Sequence, residues 1–250
     1  MGIQHVMMSS IRSPIQFIGG AITNKLGATA GNSTMPLNSG LTGGAESFAQ
    51  SGDFVIGIFA SSSSGDRTLS ITDGTTAYTL IGAELFGNST LDVNLRVAYK
   101  FITEADTSVT FGPTGATTDV GCTAVYVFRY VDPTTPLGGV TPTTATIATS
   151  RLANPPSITP VTPRSYIVCV GSGCVASTGV GPYNTPADLT GWFTDTRAGA
   201  STSFLTPIVG IGHKNDWTTG AFDAAAFTLA AGGDSTATAS AAISFVLKPA

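Results

Sequence analysis

Apolar residues recur along this chain at every second position, in many short stretches, and nowhere at the three-to-four spacing of an amphipathic helix. The clearest stretch is Val93-Asn94-Leu95-Arg96-Val97-Ala98-Tyr99-Lys100-Phe101, whose odd positions are all apolar. Such alternation sets one face of a strand against a core and the other toward water. Ile243, Phe245 and Leu247 alternate with Ser244, Val246 and Lys248 in the same way. Ala124, Tyr126 and Phe128 oppose Val125, Val127 and Arg129, which predicts a strand apolar on both faces. Further strands are predicted at 16–20, 33–37, 54–61, 68–72, 78–83 and 108–111. In the second half they fall at 144–149, 157–160, 166–173, 191–194, 204–213 and 222–229. Asp73-Gly74, Gly87-Asn88 and Gly232-Gly233-Asp234 supply the turn chemistry between them. This succession of short strands and breaks predicts an all-β, antiparallel double-sheet sandwich.

The strands are written twice. Asp53-Phe54-Val55-Ile56-Gly57-Ile58-Phe59 has a counterpart in Ser165-Tyr166-Ile167-Val168-Cys169-Val170-Gly171. Val97-Ala98-Tyr99-Lys100 is matched by Ile211-Gly212-His213-Lys214, and Tyr126-Val127-Phe128-Arg129 by Phe245-Val246-Leu247-Lys248. One spacing relates both Lys100 to Lys214 and Tyr78 to Trp192. Pro14-Ile15-Gln16-Phe17-Ile18-Gly19-Gly20 likewise resembles Pro136-Leu137-Gly138-Gly139-Val140. The first copy carries extra residues in the Gly-rich stretch from Leu41 to Gly52, where a loop tolerates insertion. The expected organisation is an N-terminal arm over 1–13 and one sandwich over 14–250, built from related halves 14–132 and 133–250. Two packed sandwiches are the alternative.

Composition narrows the function classes. Of 250 residues only 10% are charged, with 11 Lys+Arg against 15 Asp+Glu and a net charge of −4. That is well under half the usual charged fraction, and Thr, Ser, Gly and Ala take the place of ions. No basic run offers a footprint for nucleic acid. No stretch reaches the length of a membrane-spanning helix, and residues 1–13 lack the apolar centre of a signal peptide. The three cysteines, Cys122, Cys169 and Cys174, do not form a disulfide framework. Cys169 and Cys174 lie five apart on one predicted strand, hence on opposite faces, and all three read as small buried hydrophobes.

No catalytic residue, cofactor-binding residue or metal ligand set is expected. His213 falls at an apolar-face position and reads as a satisfied core histidine. Gly233-Asp234-Ser235 lacks the helix that follows a nucleophile elbow. Asp66 and Asp73 are the nearest approach to a calcium loop, without EF-hand spacing. Asn32-Ser33-Thr34 and Asn88-Ser89-Thr90 match a glycosylation pattern that needs secretion to be used. Two loop aromatics, Trp217 and Tyr183, are the candidate contacts to a partner or glycan, since an exposed ring can stack on a sugar or anchor a neighbouring subunit.

Gly52–Phe59, Ala77-Tyr78-Thr79-Leu80, Ala98-Tyr99-Lys100, the run Arg129–Leu137 and the segment Pro155–Val170 together resemble jelly-roll-type β-sandwich proteins of tailed bacteriophages. The resemblance spans residues 14 to 248 and rests on structural motifs. It implies a virion component, a capsid decoration, head fibre or neck/tail-associated protein, with no catalytic residue to carry over. The expected partners are other virion proteins and a second copy of the chain in a homo-oligomer, with a host surface glycan as the alternative. Synthesis in the host cytoplasm without a signal peptide, followed by release in the virion, fits a low-charge β-protein without disulfides.

Overall fold

A computed structural model describes residues 14–25, 32–62, 65–112, 120–175, 182–184, 186–194, 206–218, 220–230 and 238–250. The described residues form strands and no helix. The first half contains β1 (Gln16–Lys25), β2 (Ser33–Pro36), β3 (Phe54–Ser62), β4 (Ser70–Thr72), β5 (Thr79–Leu80), β6 (Leu85–Gly87), β7 (Val93–Phe101), β8 (Ser108–Gly112) and β9 (Val120–Arg129). The second contains β10 (Thr143–Ile147), β11 (Ser165–Val175), β12 (Thr190–Thr194), β13 (Thr206–Trp217) and β14 (Ser240–Leu247).

Every strand pairing between these elements is antiparallel. One sheet runs β1-β9-β3-β7-β5, with β6 also on β7, and draws only on the first half. A second runs β10-β14-β11-β13-β12 and draws only on the second half. These two sheets face each other over a shared core. Phe54, Ile56 and Ile58 of β3 and Tyr126 and Phe128 of β9 meet Val168 and Val170 of β11 and Ile243, Phe245 and Leu247 of β14.

Each sheet is also covered on its outer face, which is why its central strands are apolar at nearly every position. In the first half a three-stranded sheet, β2-β8-β4, supplies the cover. Met35, Ile71, Val109 and Phe111 from that cover pack on Val55, Phe59, Val125 and Val127. Gly57 is a point of close approach between the two layers, since a Cβ there would stand 2.6 Å from Ile71 Cγ2. In the second half the cover is extended chain joined by single bridges, Ile158 to Phe222 and Tyr183 to Leu229. Its side chains Ala153, Ile158, Tyr183, Phe222 and Phe227 pack on Ile167, Cys169, Ile208 and Val246.

The expected strands hold with local differences. Segments 157–160 and 222–229 have strand-like composition, yet they build no ladder and are joined by those single bridges and by isolated backbone hydrogen bonds such as Phe227 N–H to the Ala153 carbonyl at 2.9 Å. Pro155, Pro156 and Pro160 remove backbone donors in and beside the first segment. Between Phe222 and Leu229 the second runs as irregular extended chain. β6 has no counterpart among the predicted strands, because three residues are too few to show a period. Cys169 packs in the outer layer and Cys174 in the shared core, on opposite faces of β11 as the spacing predicts. All three cysteines are free and buried. The N-terminal arm, the Gly232-Gly233-Asp234 turn and the Trp192 side chain lie outside the described residues.

Residues 41–52 lie along the outer edge of β1. Gly20 and Thr42 exchange backbone hydrogen bonds, and the Ala45 and Glu46 N–H groups donate to the Phe17 and Ile18 carbonyls. This stretch covers an edge that would otherwise present unpaired backbone groups.

Candidate functional site

The polar chemistry concentrates at the end of the sandwich where β9 finishes and β11 begins. Arg129, the last residue of β9, donates Nε–H to Asp53 Oδ1 at 2.7 Å and Nη2–H to Asp53 Oδ2 at 3.0 Å. The same guanidinium bonds both oxygens of Glu46. Asp53 is 1% exposed and also accepts the Gln50 N–H at 2.8 Å. A bidentate pair buried this deeply fixes geometry, and here it pins the 41–52 loop to the sheet. The hydrogen bond from Arg129 holds the Glu46 carboxyl below its usual range. In the second half Lys248, just past β14, bonds Asp132 at 2.6 Å and holds that carboxyl down at about 2.

One step deeper, His213 of β13 and Tyr126 of β9 join the two sheets through a 2.6 Å hydrogen bond between Nδ1 and the phenol oxygen. Rings enclose the imidazole: Phe17 at 5.1 Å, Tyr166 at 5.3 Å and Phe128 at 5.8 Å between centroids. Burial pulls the His213 imidazole down to about 4 and pushes the Tyr126 phenol well up. Both are neutral at pH 7, so the pair is a satisfied polar link in an aromatic seam. That is the position expected for His213.

Above this seam lies an open groove of ≈ 540 Å³ lined by Ile15, Phe17, Gly44, Ala45, Tyr130 and Tyr166. Tyr130 is 45% exposed and stands immediately after Arg129. Its φ is 65°, and the other two described non-glycine residues with positive φ are Arg164 (62°) and Asp216 (52°). All three sit at this end of the molecule: Arg164 precedes β11, Asp216 lies at the end of β13, and the two are joined at 3.0 Å. A left-handed backbone costs a side-chain-bearing residue about 1–2 kcal/mol, and such strain gathers where a surface is shaped for contact. Tyr130 is held in place by its carbonyl, which accepts the Ala250 N–H at 2.9 Å, and by the Val131–Pro249 bridge. Burial and then the nearby Asp216 carboxylate raise the Tyr166 phenol. An exposed ring beside a second phenol suits a ring-shaped or planar ligand that also takes hydrogen bonds.

Neither of the two aromatics expected from sequence lines this groove; Trp217 stands at the same end, but as the last residue of β13, paired with Ser165, and not in a loop. Tyr183 is 1% exposed, donates its hydroxyl to the Arg151 carbonyl and packs against Phe227 at 5.4 Å. It is a core residue of the outer cover, which corrects its reading as a loop contact. Trp217 is half-buried, edge-on to Phe222 at 5.1 Å, with its indole N–H donated to the Gly220 carbonyl at 3.1 Å. The two are not brought together. Tyr183 lies over Gly210, about 23 Å from Trp217 by strand rise along β13. Tyr130 and Tyr166 are contacts that the sequence pattern does not single out. The signal available for Tyr130 is its place just past a strand's terminal arginine and before the Asp132-Pro133 turn.

Asp73 lies in a turn that its own carboxylate braces. It accepts the Thr75 and Thr76 N–H groups and the Lys100 ammonium, which also bonds Asp106. Among the described residues no cluster of three metal-ligating side chains occurs. Comparison with protein-family models, curated proteins and solved structures finds no match.

Proposed function

We propose that this chain is a structural component of a tailed-phage virion, a capsid decoration, head fibre or neck/tail-associated protein, acting through protein–protein contacts. The observation that carries this reading is the strand order. In the first half β1 to β4 alternate between two sheets and β7 to β9 do so again, giving β1-β9-β3-β7-β5 in one, with β6 on β7, and β2-β8-β4 in the other. Apart from β5 and β6, this alternation is like that of a jelly roll, an architecture found in viral capsid and lectin domains. The second half has β10-β14-β11-β13-β12, with its cover bridged in the order 158, 222–229, 183. On this reading each half is jelly-roll-like and the two are an internal pseudo-repeat. A fold supports many functions, so architecture contributes here by analogy. A hydroxyl-rich surface and internally paired charges such as Arg129–Asp53 and Lys248–Asp132 suit a close-packed coat. Mass spectrometry of purified virions should detect the protein in stoichiometric amount; its absence refutes the reading.

A second reading, a glycan-binding adsorption module, is favoured by the groove at Tyr130 and Tyr166. Tyr130→Ala should then abolish binding to host cells or glycan arrays, while Trp217→Ala at its half-buried position should change it less. Unchanged binding by the Tyr130 variant rejects this reading.

A further inference from the structure

Sheet edges are dangerous because their free N–H and C=O groups template pairing with other chains. Most edges in this protein are protected. The edge of β1 is overlain by residues 42–46 and its register is broken at Phe17/Gly19. β4 and β6 have three residues each and β5 has two. β12 is interrupted between Thr190 and Phe193, and β2 ends in Pro36.

β10 differs from all of these. Thr143-Thr144-Ala145-Thr146-Ile147 pairs with β14 in unbroken register over its whole length. It carries no charge, no proline and no bulge, and Thr144 and Thr146 are exposed. It occupies the place in its sheet that β1 occupies in the other, yet among the described residues no stretch like 41–52 pairs alongside it. Only the Thr143 hydroxyl reaches out, to the Pro156 carbonyl at 3.3 Å. Among the described residues no backbone group outside β14 pairs with the strand.

We infer that the bare edge of β10 is a self-pairing surface, whose partner is the β10 edge of a second copy of this chain. The strand is complementary to itself. Laid antiparallel about Ala145, it matches Thr143 with Ile147 of the copy, Thr144 with Thr146, and Ala145 with itself. Each is a pairing of β-branched or small residues, and Thr–Thr pairs stabilise a sheet across strands. No like charges meet, because the strand has none. A two-fold axis through Ala145 makes the contact isologous, so it closes at a dimer instead of growing into a fibre. The two five-stranded sheets become one continuous sheet across the dimer. This edge gives the protein–protein reading above one surface and one partner, and rests on that reading only for its setting.

The test uses the full chain in sedimentation velocity over a concentration series. The wild type should sediment as a dimer. Thr146→Lys places a charge at an exposed position of this edge and should weaken dimerisation at least about tenfold. Ala145→Cys should form a disulfide-linked dimer on mild oxidation, because residues directly opposite in an antiparallel pair lie within disulfide reach. The native cysteines are buried and take no part. A wild type that stays monomeric overturns the inference. So does a dimer that Thr146→Lys leaves intact and Ala145→Cys fails to lock. Either result leaves the virion reading to mass spectrometry, so the two can fail separately.

Discussion

The Tyr126–His213 link sets a specific pH dependence of stability. The folded imidazole titrates at about 4 because burial disfavours its charged form, whereas in the unfolded chain it titrates near 6.5. Between these values the unfolded state holds a proton that the folded state does not. Stability from this group is therefore fully present above about pH 6.5 and falls with pH until about pH 4, below which it loses no more. The gap of about 2.5 pH units corresponds to a maximum near 3 kcal/mol, and about 2 kcal/mol of it is already lost at pH 5. The paired carboxylates act lower on the scale. Asp132 titrates at about 2 and Glu46 below its usual range, so the window from pH 7.5 to 5 isolates the imidazole. The assay compares urea midpoints at these two pH values for the wild type and for Tyr126→Phe/His213→Leu, which replaces both members by apolar groups of similar shape. The double variant should be nearly as stable as the wild type at pH 7.5 and should lose about 2 kcal/mol less on going to pH 5. His5 is common to both proteins and cancels. Tyr126→Phe alone strands a buried ring nitrogen and should cost about 1–3 kcal/mol at pH 7.5. Equal losses between pH 7.5 and 5 in wild type and double variant would refute the reasoning.

Arg129→Met leaves Asp53 buried without its partner and should cost about 3–5 kcal/mol, with new proteolytic cleavage between 41 and 52; a protease-resistant loop in that variant would show that it is held by other means. Gly57→Ala forces a Cβ against Ile71 and should lower stability by about 1–3 kcal/mol, measured by urea unfolding. Tyr130→Gly releases a left-handed backbone and should leave stability unchanged or raise it by up to about 1 kcal/mol, while removing any ligand affinity of the groove. Cys169 is pushed up to about 12 by burial, so a thiol reagent should label none of the three cysteines until urea unfolds the chain.

Period two makes the strands legible where polar side chains alternate with apolar ones, even though the structure covers both faces of β7 and buries Asn94 and Ala98. Val93–Phe101 can be placed to the residue because its polar positions Asn94, Arg96 and Lys100 alternate with apolar ones. The central strand β3 is buried at every position, so alternation says little there and its short, nearly continuous apolar run identifies it instead. What such a run cannot reveal is the outer cover. Residues 222–229 have strand-like composition, and whether such a segment builds a ladder depends on a neighbour distant in sequence. The aromatics mislead for a related reason. Tyr183 sits between Pro182 and Asn184 in a loop-like context, yet the glycines Gly173 and Gly210 beneath it make the space that buries its ring. Tyr130 is the opposite case, an aromatic beside apolar strand residues that ends on the surface because its backbone turns left-handed at the strand end.

In each half the first and last strands lie side by side, β1 against β9 and β10 against β14. During synthesis the first sheet cannot close until its final strand leaves the ribosome, and it can then close without waiting for the second. Its inner face has no cover of its own. Phe54, Ile56, Ile58, Tyr126 and Phe128 stay wet until β11, β13 and β14 are made. The interval between completing one half and completing the other is the time at which a nascent chain is most exposed to joining the wrong partner, and a stalled or truncated product ending near residue 132 should be aggregation-prone for that reason.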